Sequence, residues 1–323
     1  MTDTITMPAE SFSLESLTVL KHRRIAACTE LQSRTRRRLV FARSEALELL
    51  AIEKPLEPPS ERRRAEADVV VASTDAKTRL NGVRFLTWHG PLATIAVGRT
   101  LECTTPVCTW AHYAGILSLD ELIVLGESMM RRNMRLTRAE YAEFVAYMDR
   151  AEDAGQFLGS RNCRRALNLM REGTDSSQET RTRLALMRYG LPEPLVNHPV
   201  LLSTGRTVLT DMAYPEARIA IEYDGGYHRF SSAQVLKDDK RREALERDEW
   251  IYVKATRLDL QDETGEGELA QRVASAFERV LGIPVPLTAR MTAQQLCDGR
   301  RTRRKPIWER VPRQAWAARW AHQ

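Results

Sequence analysis

Cysteine is scarce and scattered in this chain of 323 residues. Cys28, Cys103, Cys108, Cys163 and Cys297 form no Cys-x-x-Cys pair, and no nearby histidine completes a zinc set. An odd, dispersed count excludes a disulfide framework. It fits a reducing compartment in which each thiol is a small buried residue. Long apolar runs are also missing: no stretch approaches the roughly 20 residues of a membrane span. Asp3, Glu10 and Glu15 stand where a signal peptide would need an apolar segment. A cytoplasmic, soluble protein with no membrane partner is therefore expected. No internal repeat is visible.

What is present is ordinary globular material, 43% hydrophobic and 28% charged. The length accommodates two domains. The formal net charge is +6, and the excess is gathered in arginine clusters: Arg34, Arg36, Arg37 and Arg38; Arg62, Arg63 and Arg64; Arg300, Arg301, Arg303, Arg304 and Lys305. Guanidinium groups match phosphate oxygens two at a time, so such clusters suit a nucleic-acid partner. A solvated surface accounts for any single cluster equally well.

Periodicity divides the chain into four stretches. Residues 1–38 form a basic segment, helical from about residue 17. Residues 39–160 read as a smaller mixed α/β domain. A helix is expected over 39–52, strands over 67–72, 83–88 and 94–97, and helices over 110–117 and 119–130. Thr137 is expected to cap a further helix through Met148, with Glu140 completing a capping box. Residues 161–285 make a second domain, which begins with a helix over 161–170 and a break at Gly173-Thr174-Asp175. There the pattern runs helix, strand, strand, helix, strand, helix, which implies a mixed sheet covered by helices. Residues 286–323 are a basic tail with Trp308, Trp316 and Trp320. The last two, four residues apart, also fit one apolar helix face.

Three segments of the second domain carry chemistry. Thr210-Asp211 ends one expected strand. Ile219-Ala220-Ile221-Glu222-Tyr223-Asp224-Gly225 forms another that finishes in acids. Ser176-Ser177-Gln178-Glu179 opens a helix. Strand side chains alternate, so Ala220, Glu222 and, if the strand continues, Asp224 share a face. Antiparallel pairing through the short connection at Tyr214-Pro215 would bring Asp211 to Glu222. Neighbouring carboxylates repel unless a proton or cation lies between them. Hard oxygen ligands favour Mg2+ or Mn2+. Such an ion acidifies water and neutralises a phosphoryl oxygen, as phosphodiester hydrolysis requires.

His228, just past Gly225-Gly226, is placed to act as general acid or base. Lys240, Arg241 and Arg242 on a charged helix, with Lys254, are candidates for nucleic-acid contact. Bland alternatives stand beside these roles. Glu179 fits the N3 position of a capping box with Ser176, Asp211 fits a turn acid, and Asp224 before two glycines fits a turn. Glu222 is the hardest to dismiss, because an unpaired acid inside an apolar strand is costly.

The run Glu179-Thr180, Gly190-Leu191-Pro192, Asp211-x-x-Tyr214-Pro215, Glu222-Tyr223-Asp224-Gly225, His228, then Asp238, Arg241, Leu245 and Trp250 resembles an actinobacterial domain family. That family is related to very-short-patch-repair endonucleases and belongs to the PD-(D/E)XK nuclease superfamily. The likeness covers about residues 176–259. It implies a restriction-endonuclease-like sheet and a Mg2+ site, with Glu179, Asp211 and Glu222 as the acids. One departure stands out: the superfamily's lysine position, two after Glu222, holds Asp224. Either Lys240, Lys254 or His228 supplies the positive charge, or the chemistry uses His228 as in the repair endonucleases, or the site is not catalytic.

Phe41, Ser44, Ala46 and Leu47, the Val69 strand, Thr104-Thr105-Pro106 with Thr109-Trp110, and Leu119-Asp120-Glu121-Leu122 are similar to the region preceding this domain in many actinobacterial proteins. That region resembles AbiEi-type antitoxins. The expectation is a metal-dependent DNA endonuclease. The alternative is a catalytically silent DNA-binding regulator of antitoxin type. A third reading is a protein-interaction module within a defence or toxin–antitoxin system, with the basic tail contacting a protein partner.

Overall fold

The computed structural model describes residues 13–62, 66–154, 157–225 and 232–298. His228, the side chain of Asp238, Arg63, Arg64, the basic run 300–305 and Trp308, Trp316 and Trp320 lie outside the described residues. The chain divides into two compact units between Ser177 and Gln178, seventeen residues or so beyond the expected boundary at residue 160. Both are mixed α/β.

The N-terminal unit holds α1 (Leu14–Ser33), β1 (Val40–Phe41), α2 (Arg43–Leu49), α3 (Pro59–Arg62), β2 (Ala67–Val71), β3 (Val83–Thr87), β4 (Thr94–Val97), β5 (Leu101–Thr104), α4 (Pro106–Tyr113), α5 (Leu119–Met129), α6 (Tyr141–Ala154) and α7 (Ser160–Leu169). Its sheet runs β3-β2-β1-β5-β4. β1 lies at the centre, antiparallel to β2 and parallel to β5. Residues 39–52 are therefore not one helix. Ala42 is extended, and Arg43 takes a φ of 51°, the left-handed turn that swings the chain from strand into helix. The sequence hides β5 through its brevity and through Glu102.

Capping chemistry sets several helix starts. Thr105 accepts from Cys108 N–H and Ser118 from Glu121 N–H, with Pro106 at the first helical position of α4. Thr137 does not cap a helix. Its hydroxyl bonds the Arg131 carbonyl at 2.7 Å, and α6 begins at Tyr141, where Glu143 accepts from Glu140 N–H. α7 packs on α5 and α6, which is why it belongs to this unit. The first arginine cluster is engaged within the unit: Arg38 pairs with Glu102 at 2.7 Å, and Arg34 donates to the Asn81 carbonyl at 2.9 Å. All five cysteines are buried free thiols.

The C-terminal unit contains α8 (Ser177–Arg188), which starts at the boundary, then β6 (Leu195–Leu201), β7 (Thr207–Tyr214), β8 (Ile219–Asp224), α9 (Ser232–Arg247), β9 (Ile251–Thr256), α10 (Glu263–Leu281) and α11 (Ala293–Cys297). The sheet order is β6-β7-β8-β9. The first three strands form an antiparallel meander, and β9 lies parallel to β8. The α9 crossover makes that parallel pairing possible.

Alternation sorts the side chains. Ile219, Ile221, Val253 and Ala255 pack with Leu186 of α8 and with Leu269, Val273 and Phe277 of α10. Ala220 packs on the other face with Leu245 of α9. The sheet is thus sandwiched between α8 and α10 on one side and α9 on the other. β6 carries little strand signal in sequence because it contains Asn197 and Pro199, both poor strand formers.

Candidate active site

β7 and β8 are joined by a single 3-10 turn at Pro215–Ala217, closed by Arg218 with a φ of 49°. The register pairs Met212 with Ile221, so the next step outward sets Asp211 opposite Glu222 on the face toward α9. Such antiparallel neighbours stand about 5 Å apart between Cα atoms. Asp211 Oδ2 accepts from Tyr223 N–H at 2.8 Å, which pins the aspartate against β8. Along the parallel edge, Glu222 lies beside Lys254 and Asp224 beside Thr256. Lys254 Nζ pairs with Asp224, so the cation absent two residues after Glu222 is present on the next strand.

Glu222 is 2% exposed. Its Oε2 accepts from Arg241 Nη2, reaching down from α9. Its Oε1 is buried without a hydrogen-bond partner. Burial first, then repulsion from Asp211, pushes the Glu222 carboxyl up to about 8 against the pull of Arg241. Tyr252, on the same face through its pairing with Ala220, is pushed up by burial and then by the Glu222 charge.

This burial gives the fold a pH dependence. Between the usual 4.5 and about 8 the folded chain keeps a proton on Glu222 that the unfolded chain has released. Stability from this group is complete at the acid end of that window and is lost as pH rises toward its upper end. Glu222→Gln cannot titrate and is expected to flatten that slope in urea unfolding with EDTA present. An unchanged slope would show Glu222 ionised throughout.

The other sequence candidates are distributed unevenly. Glu179 lies on α8 and is 5% exposed. It meets Asn197 Nδ2 at 3.5 Å. Asn197 sits opposite Asp211 in the β6–β7 register, between the Val196–Met212 and His198–Thr210 pairs, with a φ of 47°. A left-handed residue inside a strand is held there at a cost, and asparagine tolerates it best. Sequence reasoning misses Asn197 along with its strand, and misses Tyr252. An asparagine breaking a short apolar run is the only available signal.

Among the described residues, no three of His, Cys, Asp and Glu stand close enough to hold a metal ion. Glu179 therefore does not complete the expected three-acid cluster. Lys240 and Arg242 are exposed on the outer side of α9, and Arg242 pairs with Glu246 at 3.8 Å, so neither joins the acids.

The remaining pair still suits a hard divalent cation. Asp211 and Glu222 offer carboxylate oxygens side by side, and the orphaned Glu222 Oε1 lacks the partner that a cation would provide. Mg2+ commonly takes one or two carboxylates and fills its other positions with water and phosphate oxygens. Beside Lys254, an open cleft of about 650 Å3 wraps the outer edge of β9, with Tyr252, Lys254, Arg272 and Arg279 among its lining. Arg272 bonds the Lys254 carbonyl at 3.2 Å and Asp259 at 2.8 Å.

Among the described residues no helix is long and apolar enough to cross a membrane. No protein-family model matches the chain, and no solved structure does. Two uncharacterized proteins, from two strains of Mycobacterium tuberculosis, are each similar to it at 28% identity over 204 residues. Each match covers 61% of this chain and 72% of the relative.

Proposed function

We propose that the C-terminal unit is a Mg2+- or Mn2+-dependent nuclease domain that hydrolyses phosphodiester bonds of DNA. The observation that carries this reading is the neighbouring pair Asp211 and Glu222, one step beyond the Met212–Ile221 register pair, with the buried Glu222 Oε1 lacking a hydrogen-bond partner. A bound divalent ion would supply charge neutralisation at the scissile phosphoryl group and a more acidic water. Asp211 and Glu222 would hold that ion. Lys254, 42% exposed, one strand away and paired with Asp224, would donate to a phosphate oxygen or hold a proton there. The cleft's cations Lys254, Arg272 and Arg279 suit the flanking backbone. The resemblance to PD-(D/E)XK nucleases supports the same reading.

A second reading, a DNA-binding protein of antitoxin type that keeps the fold without cutting, is favoured by Arg241 on Glu222 and by the missing third acid among the described residues. The two separate in one assay. Supercoiled plasmid is expected to be nicked or linearised by the full chain in Mg2+ or Mn2+ and left intact in EDTA. Salt-sensitive binding with no cleavage in either metal would select the silent alternative.

A further inference from the structure

We propose that Arg241 is a stand-in for the divalent cation: it occupies Glu222 in the metal-free protein and yields that carboxylate when the ion binds. The inference rests on the metal-site reading above and adds to it the group with which the ion competes. Three features carry it. Arg241 Nη2 contacts the same carboxyl group that faces Asp211, so guanidinium and metal would each favour its ionised form and compete for it. The contact is one-sided: Glu222 Oε2 is engaged and Oε1 is not, although Glu222 is buried. The two-oxygen pairing that arginine commonly makes with a carboxylate is not formed here. Finally, Glu222 is fixed in the sheet while the Arg241 side chain is 33% exposed, which gives the guanidinium somewhere to go.

The geometry of α9 supports the exchange. Leu245, one turn on from Arg241, is fully buried against Ala220 and anchors the helix to the sheet. The swap therefore leaves α9 in place and moves the Arg241 side chain, which also makes a 3.5 Å contact to the Leu209 carbonyl. The released guanidinium remains at the site, where a phosphodiester oxygen is its strongest available partner. Metal and DNA then reinforce each other, because one removes the carboxylate to which Arg241 would otherwise return.

The test uses the full chain and Mn2+ or Mg2+ alone, with no substrate. Binding of Mn2+ is read from the loss of the free-ion electron paramagnetic resonance signal. Arg241→Gln is expected to tighten Mn2+ binding about ten-fold over the wild type, and Arg241→Lys, which retains the charge with a single-point contact, by less. Asp211→Asn should abolish binding in either background. In the unsubstituted protein, the Arg241 guanidinium 15N–1H resonances should be protected in EDTA and lost to solvent exchange at saturating Mg2+.

Equal Mn2+ affinity in Arg241→Gln and wild type, or guanidinium resonances that persist in Mg2+, would overturn the exchange while leaving the metal site intact. No Asp211-dependent Mn2+ binding in any variant would remove the metal site, and the exchange with it. The resonance measurement needs no substitution, so the inference stays decidable if Arg241→Gln does not fold.

Discussion

Asp211→Asn is expected to abolish Mg2+-dependent DNA cleavage, lowering kcat by about 1,000-fold or more, while affinity for DNA in EDTA stays the same. A metal ion contributes several kcal/mol to a charged transition state, and each 1.36 kcal/mol is ten-fold in rate. Asn keeps the size and the oxygen that accepts from Tyr223 N–H, so the β7–β8 pairing should survive. It removes the charge that repels Glu222 and would attract the ion. Thermal unfolding of the two proteins in EDTA provides the control. Should the Asn variant cut as fast as the wild type, Asp211 would serve only to hold the Tyr223 N–H of β8, and the enzyme reading would fail.

The second large effect concerns stability. Phe277→Ala is expected to destabilise the C-terminal unit by roughly 3–5 kcal/mol, read from urea unfolding followed by far-ultraviolet circular dichroism. Phe277 is 1% exposed and lies between α10 and the sheet, its ring 4.8 Å from that of Tyr214. Tyr214 is itself buried and spends its hydroxyl on the Pro192 carbonyl at 2.7 Å. Truncation leaves a cavity walled by the strands that hold Asp211 and Glu222, and neither strand can close it without breaking the sheet register. A loss below about 1 kcal/mol would mean that α10 contributes little to the core, against the ordinary cost of a large-to-small change.

How much of the fold is legible in the sequence depends on the strength of the local signal. β8 announces itself: Ile219 and Ile221 alternate with Ala220 and Glu222, and the structure keeps that alternation through Asp224. Helix α10 shows its Leu269, Val273, Phe277 and Val280 stripe, and all four are buried. The strand β6 is illegible, because its seven residues include an asparagine at positive φ and a proline. β1 is equally hidden, two residues long and absorbed into the helical spacing of α2. Such strands exist because neighbours supply their hydrogen bonds, not because their own residues prefer extension.

The amino-acid order alone determined the mixed α/β character, the buried thiols, and the candidacy of Asp211, Glu222 and Asp224, since each follows from composition or from the two-residue period of a strand. The three-dimensional fold decided the rest. It set Asp211 against Glu222, brought Lys254 from the parallel neighbour to Asp224, lowered Arg241 from α9 onto Glu222, and left Lys240, Arg242 and Glu179 outside that contact. The physical reason is distance along the chain. Lys254 and Arg241 lie some thirty and twenty residues beyond the acids they meet, and strand register and helix rotation, which only packing specifies, determine which charge meets which.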